Sequence, residues 1–185
     1  MFIWTFADQD SAELIGVHDR STLPDDAIFY SGARITTPVR TPAVVFEGSR
    51  DLIAARMALE SNLGAPLVSV ELRKVLEEKC FSDAQFIPAR VVASDGDITS
   101  FTILNVVRRV RAIDHRRSRY TCFSGTKAIM GFERLALKHN ALSDYSLARD
   151  EEYLPFLLVS EELGKLLLSL AMVGVDFCRP ESLSL

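Results

Sequence analysis

A chain of 185 residues with 48% hydrophobic content is long enough to bury a real core as one domain, and a formal net charge of -4 argues against a general nucleic-acid binder. No stretch approaches a membrane span, and the opening apolar run at residues 1–6 has no basic flank and is soon broken by Asp8 and Asp10, which argues against a signal peptide. The three cysteines, Cys80, Cys122 and Cys178, are far apart and lack Cys-x-x-Cys spacing; they read as reduced core thiols in a cytoplasm rather than a disulfide framework or a zinc site.

Phe2, Trp4 and Phe6 alternate with Ile3 and Thr5, the period of a strand with one aromatic face, and the polar group at residues 8–11 ends it. The part that follows is punctuated by Pro24, Gly32, Pro38 and Pro42 and reads as loop-rich, with short strands at residues 27–30 and 43–46. Over residues 50–62, Leu52, Ile53, Met57 and Leu59 fall near helical spacing. Ser49 can cap that helix, and Gly64 with Pro66 can stop it.

An internal echo follows. Residues 67–76, LVSVELRKVL, return at residues 158–167 as LVSEELGKLL. In both copies a serine stands where a helix N-cap belongs, with glutamate in the first turn, where the helix dipole favours it. Leu72, Val75 and Leu76 in one copy, and Leu163, Leu166, Leu167 and Leu170 in the other, give each helix one apolar face. Each copy then ends in a short strand with phenylalanine at the same offset, Phe86 before Pro88 and Phe177 before Pro180. This predicts one strand-helix-strand device used twice.

Between the copies, Asp95-Gly96-Asp97 marks a tight turn that joins residues 89–92 to the next strand as a hairpin. That next strand opens FTILNVVRRVRAIDHRRSRY, residues 101–120. Phe101, Ile103 and Val107 lie on one parity, and Leu104, Val106, Val110 and Ala112 on the other, as in a central strand covered on both faces. The stretch then turns basic, with Arg108, Arg109, Arg111, Arg116, Arg117 and Arg119 beside His115. Such a run cannot stay buried; the pair Arg108-Arg109 marks where the strand leaves the core, through a bulge, and Asp114 can start a turn or brace the corner. Residues 128–132 and 134–137 read as short strands, residues 143–152 as an exposed polar connection, and residues 181–185 as a loose end.

A nucleophile needs a base and an orienting acid. Ser124-Gly125 lacks the rest of a Gly-x-Ser-x-Gly elbow. Cys122 with His115 or His139 could make a small hydrolase, against which stands the plainer reading of a buried thiol and two surface histidines. His18, His115 and His139 show no metal-ligand spacing, and no glycine-rich phosphate loop is present. The carboxylates at Asp25-Asp26 and Asp150-Glu151-Glu152 read as solvated faces, so no catalytic residue, metal or cofactor is expected. For the arginines there are two explanations. They are a strand edge kept soluble by charge, or an anion-facing surface whose planar guanidinium forks match carboxylate or phosphate. Without interleaved aromatics for base stacking, a protein partner is favoured over nucleic acid.

Three blocks in order carry a resemblance: residues 67–88; the strand Leu104-Asn105-Val106-Val107 leading to Ala112-Ile113-Asp114 and Ser118-Arg119-Tyr120; and residues 158–177. With these the chain resembles the immunity protein 11 family of bacterial polymorphic-toxin systems, over residues 66–180, the first 65 residues matching loosely. The resemblance implies a cytoplasmic, non-enzymatic protein that binds and neutralises a cognate toxin encoded by an adjacent gene. It brings no catalytic residues. Asp114 and Ser118 match the family, and the filling His115-Arg116-Arg117 between them is where partner specificity could lie.

The expectation is therefore a single α+β domain, residues 1–185, in which a mainly antiparallel sheet packs against two or three helices. Its partner-binding residues are expected to be Arg109, Arg111, His115, Arg116, Arg117 and Arg119. The alternatives are a small hydrolase using Cys122 and His115, and a nucleic-acid-binding module using the basic corner.

Overall fold

A computed structural model describes residues 1–6, 11–22, 27–36 and 40–183. The polar stop at Asp8, Gln9 and Asp10, the punctuation at Pro24 and Pro38, the carboxylates Asp25 and Asp26, and the last two residues of the loose end lie outside them.

The echo is the key to the architecture. Strand β5 (Leu67–Ser69), helix α3 (Val70–Cys80) and strand β6 (Ala84–Pro88) form the first unit; β14 (Leu157–Val159), α4 (Glu161–Ser169) and β15 (Asp176–Cys178) form the second. Each helix starts where its serine accepts a hydrogen bond from a first-turn amide, Ser69 Oγ from Leu72 at 3.3 Å and Ser160 Oγ from Leu163 at 3.2 Å. Such a cap is worth about 1 kcal/mol. In neither unit do the two strands touch. Strand β9 (Phe101–Val106) runs antiparallel between β5 and β6, so that Ile103 faces both Leu67 and Ile87. Strand β1 (Phe2–Thr5) does the same for the second unit, with Ile3 facing both Leu158 and Cys178. Each echo is thus a parallel strand-helix-strand unit split by a strand from elsewhere in the chain.

Both helices then turn inward to one core. Leu72 and Leu76 of α3 and Leu163 and Leu167 of α4 pack with Phe2, Trp4, Val68, Leu104, Val106 and Val159. Side-chain alternation distributes β1 between two cores: Phe2 and Trp4 point into this one, Ile3 into another. Gly164 lets α4 approach closely, since a Cβ there would sit 2.4 Å from Cδ2 of Phe2.

Around β9 the larger sheet has eight strands. Its remaining members are β2 (Ile15–His18), β3 (Ala43–Val45), β4 (Ala58–Ser61), β7 (Arg90–Ala93) and β8 (Gly96–Ile98), in the order β6-β9-β5-β4-β2-β3-β7-β8. Around β1 the smaller sheet has five, with β10 (Arg109–Val110) and β13 (Leu147–Asp150) completing the order β10-β13-β14-β1-β15. A separate two-stranded ribbon joins β11 (Arg119–Cys122) to β12 (Ile129–Arg134). The α+β class holds, but both large sheets are mixed: β2 runs parallel to β4, β3 to β7, and β10 to β13. The helices described are α1 (Ala27–Ser31), α2 (Arg50–Ala54), α3 and α4, the first two only five residues each.

Several local expectations give way to tertiary partners. Residues 27–30, expected extended, form α1, which sets Phe29 fully in the core; so short an apolar run has no distinguishing period. The helix expected over residues 50–62 has its Ser49 cap but stops at Ala54. Met57 then donates to Val173 O at 2.7 Å and accepts from Ser69 N at 2.8 Å, and β4 pairs with β5. The Asp95-Gly96-Asp97 hairpin closes onto β8, not β9. Residues 128–132 and 134–137 give a single strand, β12, followed by an isolated bridge from Leu137 to Ile113.

The polar connection expected at residues 143–152 contains the fully buried strand β13. Its Arg149 is 0% exposed and donates to Leu154 O at 2.9 Å and to Gly64 O at 2.8 Å, tying the smaller sheet to a loop of the larger. Burial pushes its pKa down to about 10. Asp150 is also buried, not solvated: it accepts from the amides of Ala112, Glu152 and Tyr153. Burial still pulls its pKa up.

Candidate partner-binding site

The arginine run begins where the chain changes sheets. All six residues of β9 are buried, flanked on one face by the core containing Leu104 and on the other by that containing Ile103. The next residues leave the large sheet: Val107 N donates to Asp83 O at 2.9 Å, and Arg109 and Val110 pair in parallel with Arg149 and Asp150 of the smaller sheet. The exit at Arg108-Arg109 is therefore a crossing between sheets and not a bulge. Arg108 is held there by the Asp83 carboxylate at 3.6 Å and by the ring of Tyr145, 5.3 Å from its guanidinium carbon.

The six expected contact residues separate into two groups. Arg109 donates to the carbonyl of Ser31. Arg111 forms a 2.7 Å ion pair with Glu151, which raises its pKa further. His115 spends both ring nitrogens, one on the Tyr120 hydroxyl at 2.8 Å and the other on the Glu152 carboxylate at 3.0 Å. These three are occupied within the molecule. Arg116, Arg117 and Arg119 are exposed, and among the described residues no side-chain partner engages them.

What holds the free three is a rigid turn. Asp114 Oδ1 accepts from Arg116 N at 3.1 Å, and Asp114 O accepts from Arg117 N and Ser118 N at 3.1 and 2.8 Å. Ser118 Oγ donates to Ala136 O and accepts from Ala136 N, both at 3.0 Å. Asp114 and Ser118 are thus the frame of the corner, which leaves the residues between and after them to face outward. The turn continues into β11, where Arg119 lies opposite Arg134 of β12, and Arg134 Nε donates to Arg117 O at 2.8 Å.

The ribbon β11-β12 is fixed at its base by aromatic contacts. Tyr120 meets Phe132 edge-on with ring centroids 5.9 Å apart, and Phe132 stacks on Phe156 at 5.5 Å. Ile129 and Phe132 are buried beside Ala112, Ile113 and Ile3. Beyond that base the ribbon is open: residues 121–128 are all exposed, with Phe123 at 54% and Met130 at 53%. Sequence reasoning missed Arg134 and Met130, which lie in the strand after the basic run and become its neighbours only through the ribbon's register.

Cys122 is exposed, which corrects its reading as a core thiol; Cys80 is buried, its pKa pushed up to about 12, and Cys178 is half-buried. The sulfur of Cys122 has one long contact, 3.9 Å from Lys127 O, while His115 is committed to Tyr120 and Glu152. Neither His115 nor His139 is hydrogen-bonded to that thiol among the described residues. Among the described residues no group of histidine, cysteine and carboxylate side chains is placed to hold a metal ion, and no helix is long and apolar enough to cross a membrane.

Compared with known families, the sequence matches the immunity protein family Imm11 over residues 9–180. The match takes in much of the N-terminal part, where the resemblance was loose. No curated protein matches the chain.

Proposed function

Because the chain belongs to the Imm11 immunity protein family, we propose that it acts without catalysis, binding a cognate toxin in the cytoplasm and neutralising it by occupancy. The observation that carries the placement is the corner Arg116, Arg117 and Arg119, three exposed guanidinium groups on a braced turn with no internal partner among the described residues. Arg109, Arg111 and His115 are engaged by Ser31, Glu151, Tyr120 and Glu152 and lie in the same basic stretch as that corner. Uncompensated arginines match carboxylates in pairs of parallel hydrogen bonds. Complementary charge of this kind speeds encounter and rejects wrong partners, while a few buried anchors set the residence time.

The test is titration calorimetry against the toxin domain encoded by the adjacent gene, at low and moderate salt, with toxicity scored in parallel. Tight stoichiometric binding that abolishes toxicity is expected. A salt-sensitive association rate is expected with it, because exposed charges are screened beyond about 10 Å at 0.1 M ionic strength. Stoichiometric binding that leaves toxicity intact would refute the immunity reading.

A further inference from the structure

The charge is not spread over the surface. Residues 115–134 hold five cationic side chains and one carboxylate, Glu133, a net +4 within a chain of formal net charge -4. The rest of the molecule therefore carries an excess of the opposite sign. This basic segment is the turn and the ribbon together.

The ribbon has features that charge alone leaves unexplained. It pairs with neither large sheet, so both of its outer edges lack a hydrogen-bonded neighbour among the described strands. A Cβ added at Gly125 or Gly131 would meet nothing within 4 Å, so the tip, and the face of β12 opposite its buried Ile129 and Phe132, are open. The tip is nonetheless ordered by its own bonds: Phe123 N donates to Ala128 O and Thr126 N to Phe123 O, both at 3.0 Å, and Thr126 Oγ1 receives Ala128 N at 3.1 Å. Arginines that served only to keep an open edge soluble would be expected beside polar neighbours. Instead Phe123 and Met130 stand more than half exposed, within one residue of the Cys122–Ile129 pair. A large aromatic and a flexible thioether on a rigid, basic arm have the composition of a protein-binding surface.

We infer that the β11-β12 ribbon is the docking arm of this protein, inserting Phe123 and Met130 into an acidic, partly apolar cleft of the toxin while Arg116, Arg117 and Arg119 engage the carboxylates at its rim. This placement rests on the immunity reading and deepens it by naming the partner's surface chemistry. A polyanionic nucleic acid fits less well, because the excess negative charge of the remaining surface repels it and Met130 offers no face for base stacking.

The experiment uses the full chain and the toxin domain encoded beside it. Hydrogen exchange of the wild-type complex is expected to protect amides of residues 119–134. The double variant Phe123→Ser with Met130→Ser is expected to weaken binding by about 30-fold, mainly through faster dissociation. Arg116→Glu with Arg117→Glu is expected to slow association about tenfold at low salt and to flatten its salt dependence. Melting temperatures of both doubles should match the wild type, since all four side chains are exposed. Wild-type binding and neutralisation with no protection of the ribbon and unchanged affinities would overturn the arm and leave the immunity reading standing. A wild-type chain that neither binds nor neutralises the toxin would overturn both. Binding of a labelled 30-base oligonucleotide at 0.15 M salt, abolished by the arginine reversal while toxin affinity is untouched, would reassign the arm to nucleic acid.

Discussion

Replacing Arg149 tests whether a buried guanidinium with no carboxylate partner among the described residues can hold two sheets together. Its two donors satisfy the carbonyls of Leu154 and Gly64 at 2.9 and 2.8 Å, while its Nε is buried without a hydrogen bond. The pKa fall to about 10, caused first by burial and then by the charge of Arg109, corresponds to about 3 kcal/mol against holding the charge. Against that stand two hydrogen bonds from a charged donor, each worth about 1.5–3 kcal/mol. Neither carbonyl can be mutated away. Arg149→Met keeps the stem and removes the charge, so it recovers the burial cost but orphans both carbonyls; a net loss of about 1–3 kcal/mol is expected. Arg149→Ala adds a cavity and should lose about 3–5 kcal/mol. Urea unfolding followed by tryptophan fluorescence reads both, and a loss of 2 kcal/mol should lower the melting temperature by about 4–8 °C in a chain of this size. An Arg149→Met protein as stable as the wild type would refute the reasoning, because it would make the charge a net burden and the sheet-to-loop tie dispensable.

Gly164→Ala places a Cβ 2.4 Å from the Phe2 ring, and a loss of about 1–3 kcal/mol in urea is expected despite alanine's better helix propensity; a stabilised variant would show that α4 is free to move off β1. Ser69→Ala and Ser160→Ala each remove an N-cap acceptor and should cost about 1 kcal/mol apiece, measured as a shift of the urea midpoint with unchanged slope. Glu161 is held down to about 2 by Arg179, by the amino group of Met1 and by Lys165. Its folded pKa lies below the unfolded one, so its contribution is present above about pH 4.5 and is lost as pH falls towards 2. The melting temperatures of the wild type and Glu161→Gln should differ at pH 7, draw together below about pH 4.5 and converge only as pH falls through about 2; a gap that widens on acidification would contradict the assignment.

Repetition and local chemistry were legible without the fold. The echo of LVSVELRKVL in LVSEELGKLL predicts two capped helices, each between two strands, because an N-cap serine, first-turn glutamate and leucines at helical spacing act within a few residues of one another. The burial of β9 on both faces follows equally from residues on both parities, and the corner's frame from an Asp114 that binds amides two to four residues on. The pattern of three ordered blocks also pointed to the family.

Tertiary structure decided the rest. A local pattern cannot say that β9 and β1 split the two units, since the splitting strands come from distant parts of the chain. Nor can it bury Arg149 and Asp150, whose charged side chains read as surface until the distant Gly64 carbonyl and Ala112 amide are brought to them. The same holds at the candidate site. The six basic residues between 109 and 119 look equivalent as a string, and only the positions of Ser31, Glu151, Glu152 and Tyr120 distinguish the three that are engaged from the three that are free. Helix caps and turns are set by neighbours in sequence, whereas the accessibility of a charge is set by whichever distant groups the packed chain places beside it.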